Sequence, residues 1–409
     1  MKKGTNRVKL AVGIIIICIC HFHGKNLLGE KINWKGKVES NEGVKVIKNP
    51  EEPLFGELIL NLDLELSIDD KKVKKEGFYR IEMVHVDYKD NIYVLDTKKC
   101  HILKLDRNGV FLNKMGRKGQ GPGEFENPSF FFVDNKERIY VIDGRKIHIF
   151  GNSGDFLKTI TMKYQLYNLF VDKDRNIIAL SHVVREEGPE ESILKFDLNG
   201  KLLKELVSFS SVKPVIRKDK NEKPVSLTVY HRYKYWTYLY PTNEESFVYA
   251  HSSQYKIIKM KSDGVKELII ENEFPPTPLK RRDKENVIKG IEERLRRMGK
   301  AFSRDIIEEA CQFPPYIPFF DRIFVDDSGR IYVKRIKAET NGSKVFEFDI
   351  FGRDGIYLYK TKLPFTPAFL RNGYLYEIQS SEETGETRIN KYKIKNLSEI
   401  KNFGMKSLE

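Results

Sequence analysis

A short phrase of residues recurs along the chain and constrains its fold more than any other feature. An apolar residue and an aspartate are followed by four loop residues and then by a run of β-branched or aromatic residues. The four copies begin at Val86-Asp87, Val133-Asp134, Val171-Asp172 and Val325-Asp326. In each copy the aspartate stands five residues before the first apolar residue of the run. Since aspartate favours turns and the runs favour strands, this constant spacing predicts a repeated hairpin.

A second phrase follows most copies of the first. A strand-like run ends in a polar residue or a glycine, and another glycine comes three positions later. The five instances are Asp106 to Gly109, Gly151 to Gly154, Asp197 to Gly200, Lys261 to Gly264 and Asp349 to Gly352. Glycine at that place supplies the positive φ of a tight hairpin turn. The two phrases together define four-stranded antiparallel units.

Six such units can be counted in the sequence. They begin near Phe78, Ser129, Tyr167, Tyr235, Phe319 and Phe365. Four-stranded sheets that repeat every 40–50 residues or so are typical of a β-propeller, whose blades surround a central channel. We therefore predict an all-β fold, a six-bladed β-propeller with four-stranded antiparallel blades, over residues 44–394.

Two further features of the sequence fit this ring of blades. The sixth unit lacks an outer strand of its own, and the alternating stretch from Leu58 to Ile68 is expected to supply that strand and close the ring. The aromatic runs at residues 130–132 and 235–240 are expected on inner strands, where their rings pack between neighbouring blades.

Residues 275–315 interrupt the repeat, and we expect a short helical insertion between blades four and five. Its apolar positions recur at helical spacing with basic residues between them: Val287, Ile288, Ile291, Leu295 and Met298. Such a basic amphipathic helix suits a membrane or partner surface. The alternative is a helix docked on the propeller face, where it would cover part of the channel mouth.

The first 24 residues have the pattern of a targeting segment. Met1 to Lys9 is basic, and Leu10 to Cys20 is an uninterrupted apolar run. This run is shorter than the roughly 20 residues that span a bilayer, but it matches the core of a secretory signal. We expect residues 1–24 to be a signal peptide or an N-terminal membrane anchor. The protein is then exported to the periplasm, the cell envelope or the extracellular space.

The net charge of +14 invites a nucleic-acid interpretation. Four of these charges lie in the first nine residues, and a net six lie between Lys280 and Arg304. The remainder of the chain is close to balanced. The charge therefore belongs to the targeting segment and to the insertion, and we expect no nucleic-acid partner.

The sequence resembles the six-bladed β-propellers of NHL-repeat type, which are common among exported bacterial proteins. The resemblance rests on residues 116–125 (GRKGQGPGEF), on Pro128, and on the strands that begin at Ile92 and Ile139. It extends over roughly Val44 to Ile394 and is strongest in the first two blades. The resemblance implies a platform for binding or scaffolding. Some relatives of the fold are lyases or lactonases that hold a metal at the channel mouth.

The ends of the second strands supply the candidate binding residues. These ends can share one face with the connectors between blades, so their side chains are expected around the channel mouth. Polar groups of mixed sign that converge at a concave mouth suit a small ligand or a peptide. The candidate ligand-binding residues are Asp96, Arg117, Asp143, His182, His251 and Arg335. Each aspartate can alternatively cap the turn that follows it.

The sequence favours binding over catalysis. His85, His182 and His251 could together hold zinc, but no short histidine motif places them on one element, so we expect no metal or cofactor. The predicted function is an exported, non-enzymatic propeller with a ligand- or protein-binding face at the channel mouth. A protein, peptide or small molecule is the expected partner, with membrane association through the N-terminal segment. The alternative function is a metal-dependent lyase or lactonase.

Overall fold

The computed structural model describes residues 23–25, 31–69, 71–73, 76–218, 224–243, 245–300, 302–336, 345–381 and 386–401. Most of the predicted targeting segment, residues 1–22, lies outside the described residues.

The first half of the described chain forms three blades, preceded by five short strands. The preceding strands are β1 (His23–Lys25), β2 (Lys31–Asn33), β3 (Lys37–Asn41), β4 (Val44–Asn49) and β5 (Leu62–Ile68). Blade one contains β6 (Ile81–Val86), β7 (Ile92–Asp96), β8 (His101–Leu105) and β9 (Phe111–Met115). Blade two contains β10 (Pro128–Val133), β11 (Ile139–Asp143), β12 (Lys146–Phe150) and β13 (Phe156–Thr161). Blade three contains β14 (Gln165–Val171), β15 (Ile177–Arg185), β16 (Gly188–Phe196) and β17 (Leu202–Ser210).

The second half adds a hairpin, three blades and the insertion. The hairpin consists of β18 (Val215–Lys218) and β19 (Pro224–Leu227). Blade four contains β20 (Thr237–Pro241), β21 (Ser246–His251), β22 (Lys256–Lys261) and β23 (Lys266–Asn272), and helices α1 (Arg281–Arg297) and α2 (Arg304–Cys311) follow. Blade five contains β24 (Phe320–Val325), β25 (Ile331–Arg335), β26 (Phe346–Phe351) and β27 (Tyr357–Leu363). Blade six contains β28 (Phe369–Arg371), β29 (Tyr374–Ser380) and β30 (Thr387–Ile394), with a 3₁₀ turn at Leu397–Glu399 after it.

The predicted closure of the ring is confirmed. β5 pairs antiparallel with β30, so a strand from before blade one becomes the outer strand of blade six. Ile68 at the end of β5 is opposite Ile389, and both side chains are fully buried in the cluster between blades six and one. The six-bladed propeller with four-stranded antiparallel blades is therefore the fold of this chain.

Blade four is larger than predicted. β4 pairs in parallel with β23, and β3 pairs with β4, so this sheet has six strands. The buried Asn49 at the end of β4 ties this addition to blade five. Its amide donates to the carbonyl oxygen of Gly355 at 2.8 Å, and its side-chain oxygen accepts from the backbone N–H of Tyr357 at 2.7 Å.

The recurring aspartate is explained by one hydrogen-bond pattern at the turn between the first and second strands of a blade. Asp87 Oδ1 accepts from the backbone N–H groups of Lys89 and Asn91 at 2.8 and 2.9 Å, and Oδ2 accepts from the Tyr93 hydroxyl at 3.1 Å. The pairs Asp134 with Tyr140 and Asp326 with Tyr332 repeat it. In these three blades the repeat thus places the carboxylate where it satisfies both the turn and a buried tyrosine.

Four of the five predicted glycine turns are confirmed, because Gly109, Gly154, Gly200 and Gly264 all have positive φ. The fifth prediction is wrong by three residues. β26 continues to Phe351, so the turn begins at Gly352 and the positive φ of 89° belongs to Gly355.

The helical insertion lies between blades four and five, as predicted. Ile288, Ile291 and Leu295 of α1 are buried against residues of α2 and of the β18–β19 hairpin. The apolar face of α1 is therefore occupied within the protein, by α2 and the hairpin. None of the α1 residues lines the central channel, so among the described residues the helix does not cover the channel mouth. Within the described part of the chain, no helix combines the length and the apolarity needed to cross a bilayer.

Substitution on the closing strand tests the closure of the ring. Ile68→Ala should lower the free energy of unfolding by about 2–5 kcal/mol, because it leaves a cavity at the junction of blades six and one. Leu64→Ala on the same strand is the matched control, since Leu64 is 52% exposed, and its effect should stay within about 0.5 kcal/mol. Urea denaturation measures both values. Equal effects of the two substitutions would contradict this account of the closure.

Candidate binding site in the central channel

The first strands of all six blades line a central channel with a volume of about 1090 Å³. One end of the channel is formed by the first residues of these inner strands, and we call it the mouth. The other end is formed by the turns that carry the repeated aspartates. A cavity of this size is slightly larger than the usual range of small-ligand sites, about 300–1,000 Å³.

A ring of polar residues surrounds the mouth, one residue from each blade, and we call it the mouth ring. Its members are Glu82, Ser129, Tyr167, Thr237, Asp321 and Thr366. In blades one, two, three and five, the ring residue stands five positions before the turn aspartate. In the same four blades the ring residue has no partner in the pairing of the first strand with the second, which marks a β-bulge. Since bulges redirect side chains, they help to aim these residues at the channel.

Part of the mouth ring has unused hydrogen-bonding capacity. Among the described residues, Thr237 Oγ1 and Asp321 Oδ1 are buried and have no hydrogen-bond partner. The other oxygen of Asp321 lies 2.9 Å from Lys334 Nζ. A buried polar atom without a partner costs about 1–3 kcal/mol. A polar molecule that enters the mouth between blades four and five would offset this cost.

An aromatic layer borders the channel deeper inside. Its six members, one from each blade, are His85, Phe132, Phe170, Tyr240, Phe324 and Phe369. The ring of His85 lies 4.6 Å from that of Phe369 and 5.8 Å from that of Phe132, and Tyr240 and Phe324 are 6.4 Å apart. Burial, with a smaller contribution from Arg371, lowers the pKa of His85 to about 3. The imidazole is therefore neutral at physiological pH and behaves as one more ring of the apolar wall.

None of the six predicted site residues is among the described residues that line the channel. Asp96 is fully buried, and its carboxylate accepts from the backbone N–H groups of Tyr79 and Lys99. Asp143 accepts from those of Glu126 and Asn127 at 2.8 and 2.6 Å. Both aspartates thus act as caps that join the connector between blades to the second strand.

The hydrogen bonds that Asp143 accepts favour the ionised form of its side chain, and its pKa is therefore lowered. Burial raises the pKa, but His148 and the two backbone donors from Glu126 and Asn127 together bring it below its ordinary value. Asp143 therefore stays ionised at neutral pH while it holds the connector.

Arg117 and Arg335 lie at separate places. Arg117 is exposed in the connector between blades one and two, where its Nε lies 2.7 Å from Glu124 Oε1. Arg335 stacks on the ring of Phe274 at 3.7 Å, and its Nε is 3.9 Å from Asp349 Oδ2. The structure therefore does not bring these two cations together at the mouth.

His182 and His251 lie on either side of the junction between blades three and four. His182 is opposite Glu191 in the pairing of β15 with β16. His251 stacks on Phe209 of blade three, with ring centroids 4.6 Å apart. Burial, reinforced by the charge of Lys234, lowers the pKa of both histidines, that of His251 to about 4. Both are neutral at physiological pH.

Lys234 is the centre of this junction and is not among the predicted site residues. Its ammonium lies 4.4 Å from the ring of Tyr230 and 4.1 Å from that of Trp236, and 3.9 Å from Glu191 Oε1. Burial lowers the pKa of Lys234 to about 8, although Glu191 acts in the opposite direction. The other oxygen of Glu191 accepts from the backbone N–H of Thr237 at 2.8 Å. The buried pair therefore supports one member of the mouth ring.

The aromatic run at residues 235–240 falls only in part on an inner strand. β20 begins at Thr237, so Tyr235 and Trp236 lie in the connector instead. We call the contact of blades three and four around Lys234 the Lys234 junction. Its sequence signal is a lysine among aromatic residues, at residues 233–236 (YKYW).

The three histidines considered as metal ligands do not form one cluster. His85 is in the aromatic layer, whereas His182 and His251 lie at the Lys234 junction. Within the described ranges, no three histidine, cysteine, aspartate or glutamate side chains are grouped so that they could hold one metal ion.

Comparisons with known proteins agree on the fold. A family model described as a 6-bladed beta-propeller matches residues 76–262. A Bacteroides fragilis protein described as exported has a TM-score of 0.55 and 14% identity, over 86% of this chain and 99% of that chain. A member of the DUF4221 family from Bacteroides vulgatus has a TM-score of 0.49 and 13% identity, over 82% and 98% of the two chains.

A third similar structure is virginiamycin B lyase from Staphylococcus aureus, with a TM-score of 0.40 and 8% identity, over 81% of this chain and 99% of that chain. No curated protein matches the sequence significantly. At 14% identity the likeness to the Bacteroides fragilis protein shows the fold alone, and the finer assignment to the NHL-repeat type stays a prediction.

The titration of Lys234 can be followed through its tryptophan neighbour. In a Trp34→Phe background Trp236 is the remaining tryptophan, and its fluorescence should change with a midpoint near pH 8, the pKa of Lys234. Lys234→Met should abolish this transition. Because folding lowers this pKa from 10.5 to about 8, the unfolded chain binds more protons between these values. This group's contribution to the free energy of unfolding should then rise with pH. An unchanged transition in Lys234→Met would contradict the assignment.

Proposed function

We propose that the protein is exported and binds a ligand in its central channel without catalysing a reaction on it. The observation that carries the proposal is the mouth ring, in which six blades each contribute a polar residue to one opening above an aromatic layer. The basic and apolar N-terminal segment supports export. The description of the similar Bacteroides fragilis protein as exported agrees with it.

The chemistry of the ring favours a hydroxyl-rich ligand of the carbohydrate class. Four ring members carry hydroxyl groups, which both donate and accept hydrogen bonds, and Glu82 and Asp321 carry carboxylates, which accept them. Below the ring, partly exposed aromatic side chains such as Phe132 and Tyr240 offer apolar surface. A sugar presents alternating hydroxyl groups and C–H faces, so it can satisfy both surfaces at once.

The mouth is supported from outside the channel. Glu191 holds the backbone of Thr237, and Lys234 lies beside Glu191 between two aromatic rings. A site whose members are fixed in this way loses little conformational entropy when a ligand binds. This arrangement supports binding at a preformed mouth.

Isothermal titration calorimetry tests the proposal with soluble oligosaccharides of glucose, xylose, mannose, galactose, N-acetylglucosamine and galacturonic acid. At least one class should bind saturably. Ser129→Phe places a bulky ring at the mouth and should weaken that binding by at least about tenfold, equivalent to about 1.4 kcal/mol. Ser40→Phe on the outermost strand β3 is the matched control, because Ser40 is also exposed but lies outside the channel. It should leave the affinity unchanged.

Three results would overturn the proposal. The first is an absence of saturable binding in every sugar class, and the second is equal weakening by the two substitutions. The third is stoichiometric zinc or calcium in the purified protein together with turnover of a bound compound, which would favour the lyase or lactonase alternative. Binding of peptides but not sugars would reject the carbohydrate class.

A further inference from the structure

The outward face of α1 is strongly basic. The exposed cations in and beside this helix are Lys280, Arg281, Arg282, Lys289, Arg294, Arg296, Arg297 and Lys300. Within the described residues none of them forms an ion pair with an acidic side chain. Of the acidic residues on α1, Asp283 is buried, and Glu285 and Glu292 pair with Arg304 of α2. Only Glu293 is left to oppose these cations on α1.

Three of the cations form a straight stripe. Arg282, Lys289 and Arg296 follow one another at intervals of seven residues, which places them on one face of the helix with about 10.5 Å between successive members. We call these three residues the basic stripe. The buried residue Ile291 lies nearly opposite the stripe, and Ile288 and Leu295 lie about 100° around the helix from it. All three pack against the rest of the insertion and the β18–β19 hairpin. The stripe is therefore held outward by packing, with no apolar surface of its own to insert into a bilayer.

The N-terminal segment joins blade four close to the point where the chain leaves this blade for the insertion. The chain enters blade four at Lys37, which is opposite Lys48, and Lys48 is opposite Glu271 near the end of β23. β23 is also the strand from which the chain continues to α1. The apolar run of the targeting segment ends at Cys20, so residues 21–36 separate it from this point. Sixteen residues span at most about 55 Å, so a membrane that holds the N-terminal segment is within reach of the insertion.

We propose that the basic stripe docks the propeller on an anionic phospholipid surface to which the N-terminal segment tethers the chain. Cations at a membrane surface are attracted to anionic headgroups, and the attraction falls off within a Debye length. Because the apolar face of α1 is occupied, the contact is electrostatic and does not require helix insertion. The tether rests on the proposed export and on the anchor alternative for residues 1–24, and it favours a membrane over a nucleic acid as the anionic partner.

Vesicle co-sedimentation of the full chain tests this docking. The probes are vesicles of phosphatidylcholine alone and vesicles that also contain phosphatidylglycerol. The triple variant Arg282→Glu, Lys289→Glu, Arg296→Glu should lose at least about tenfold of the partitioning to the anionic vesicles. Its partitioning to the neutral vesicles, which depends on the unchanged N-terminal segment, should stay the same. Added salt should reduce the wild-type preference for anionic vesicles.

The matched control reverses three other exposed cations. Arg107→Glu, Lys201→Glu and Arg353→Glu lie in turns between the third and fourth strands of blades one, three and five, and they change the net charge by the same amount. This variant should keep the wild-type preference for anionic vesicles. Circular dichroism and the melting temperature check that both triple variants are folded.

Three outcomes would overturn the proposal. Equal losses in the two triple variants would assign the effect to net charge, and an unchanged preference in the stripe variant would remove the role of α1. Tighter binding to duplex DNA than to anionic vesicles, lost in the stripe variant, would identify a nucleic acid as the partner. Sugar binding at the mouth is measured without vesicles, so failure of either proposal can be distinguished from failure of the other.

Discussion

The pairing of β5 with β30 holds the ring closed, and the rest of the structure depends on it. Without β5, β30 would lose the partner of its outer edge, and the junction around Ile68 would lose its buried contacts. The two strands are separated by more than 300 residues in the sequence. Closing such a long loop has a substantial entropic cost, which the buried side chains at this junction offset. The channel exists because the closed ring brings six inner strands together.

Turn chemistry connects this ring to the channel. Each repeated aspartate satisfies a turn, and in three blades it also accepts a hydrogen bond from a buried tyrosine. Since the inner strand before the turn has nearly constant length, the residue five positions earlier reaches the mouth in each of these blades. A repeat that stabilises turns thus also sets the position of the mouth ring. The side chain at that position is free to vary, because it faces the channel instead of the neighbouring blade.

Some roles of the predicted and observed site residues follow from the local sequence, and others do not. Asp96 and Asp143 were expected at the mouth because they end equivalent strands, and their carboxylates instead accept backbone hydrogen bonds. The alternative reading of an aspartate as a turn or connector cap follows from its chemistry alone. The local sequence around Lys234 does not identify its acidic partner. Glu191 is 43 residues earlier and meets Lys234 only where blades three and four pack together.

Fold class, blade number, the closing strand and the place of the insertion all follow from the sequence, because they depend on turn residues and strand periodicity that repeat locally. The bulges, the six-stranded blade four and the mouth ring do not follow from it, since they depend on how strands register against one another. Tertiary structure likewise places His182 and His251 beside Lys234 and away from His85. Packing between blades decides which polar groups are buried together, and that packing joins residues far apart in the chain.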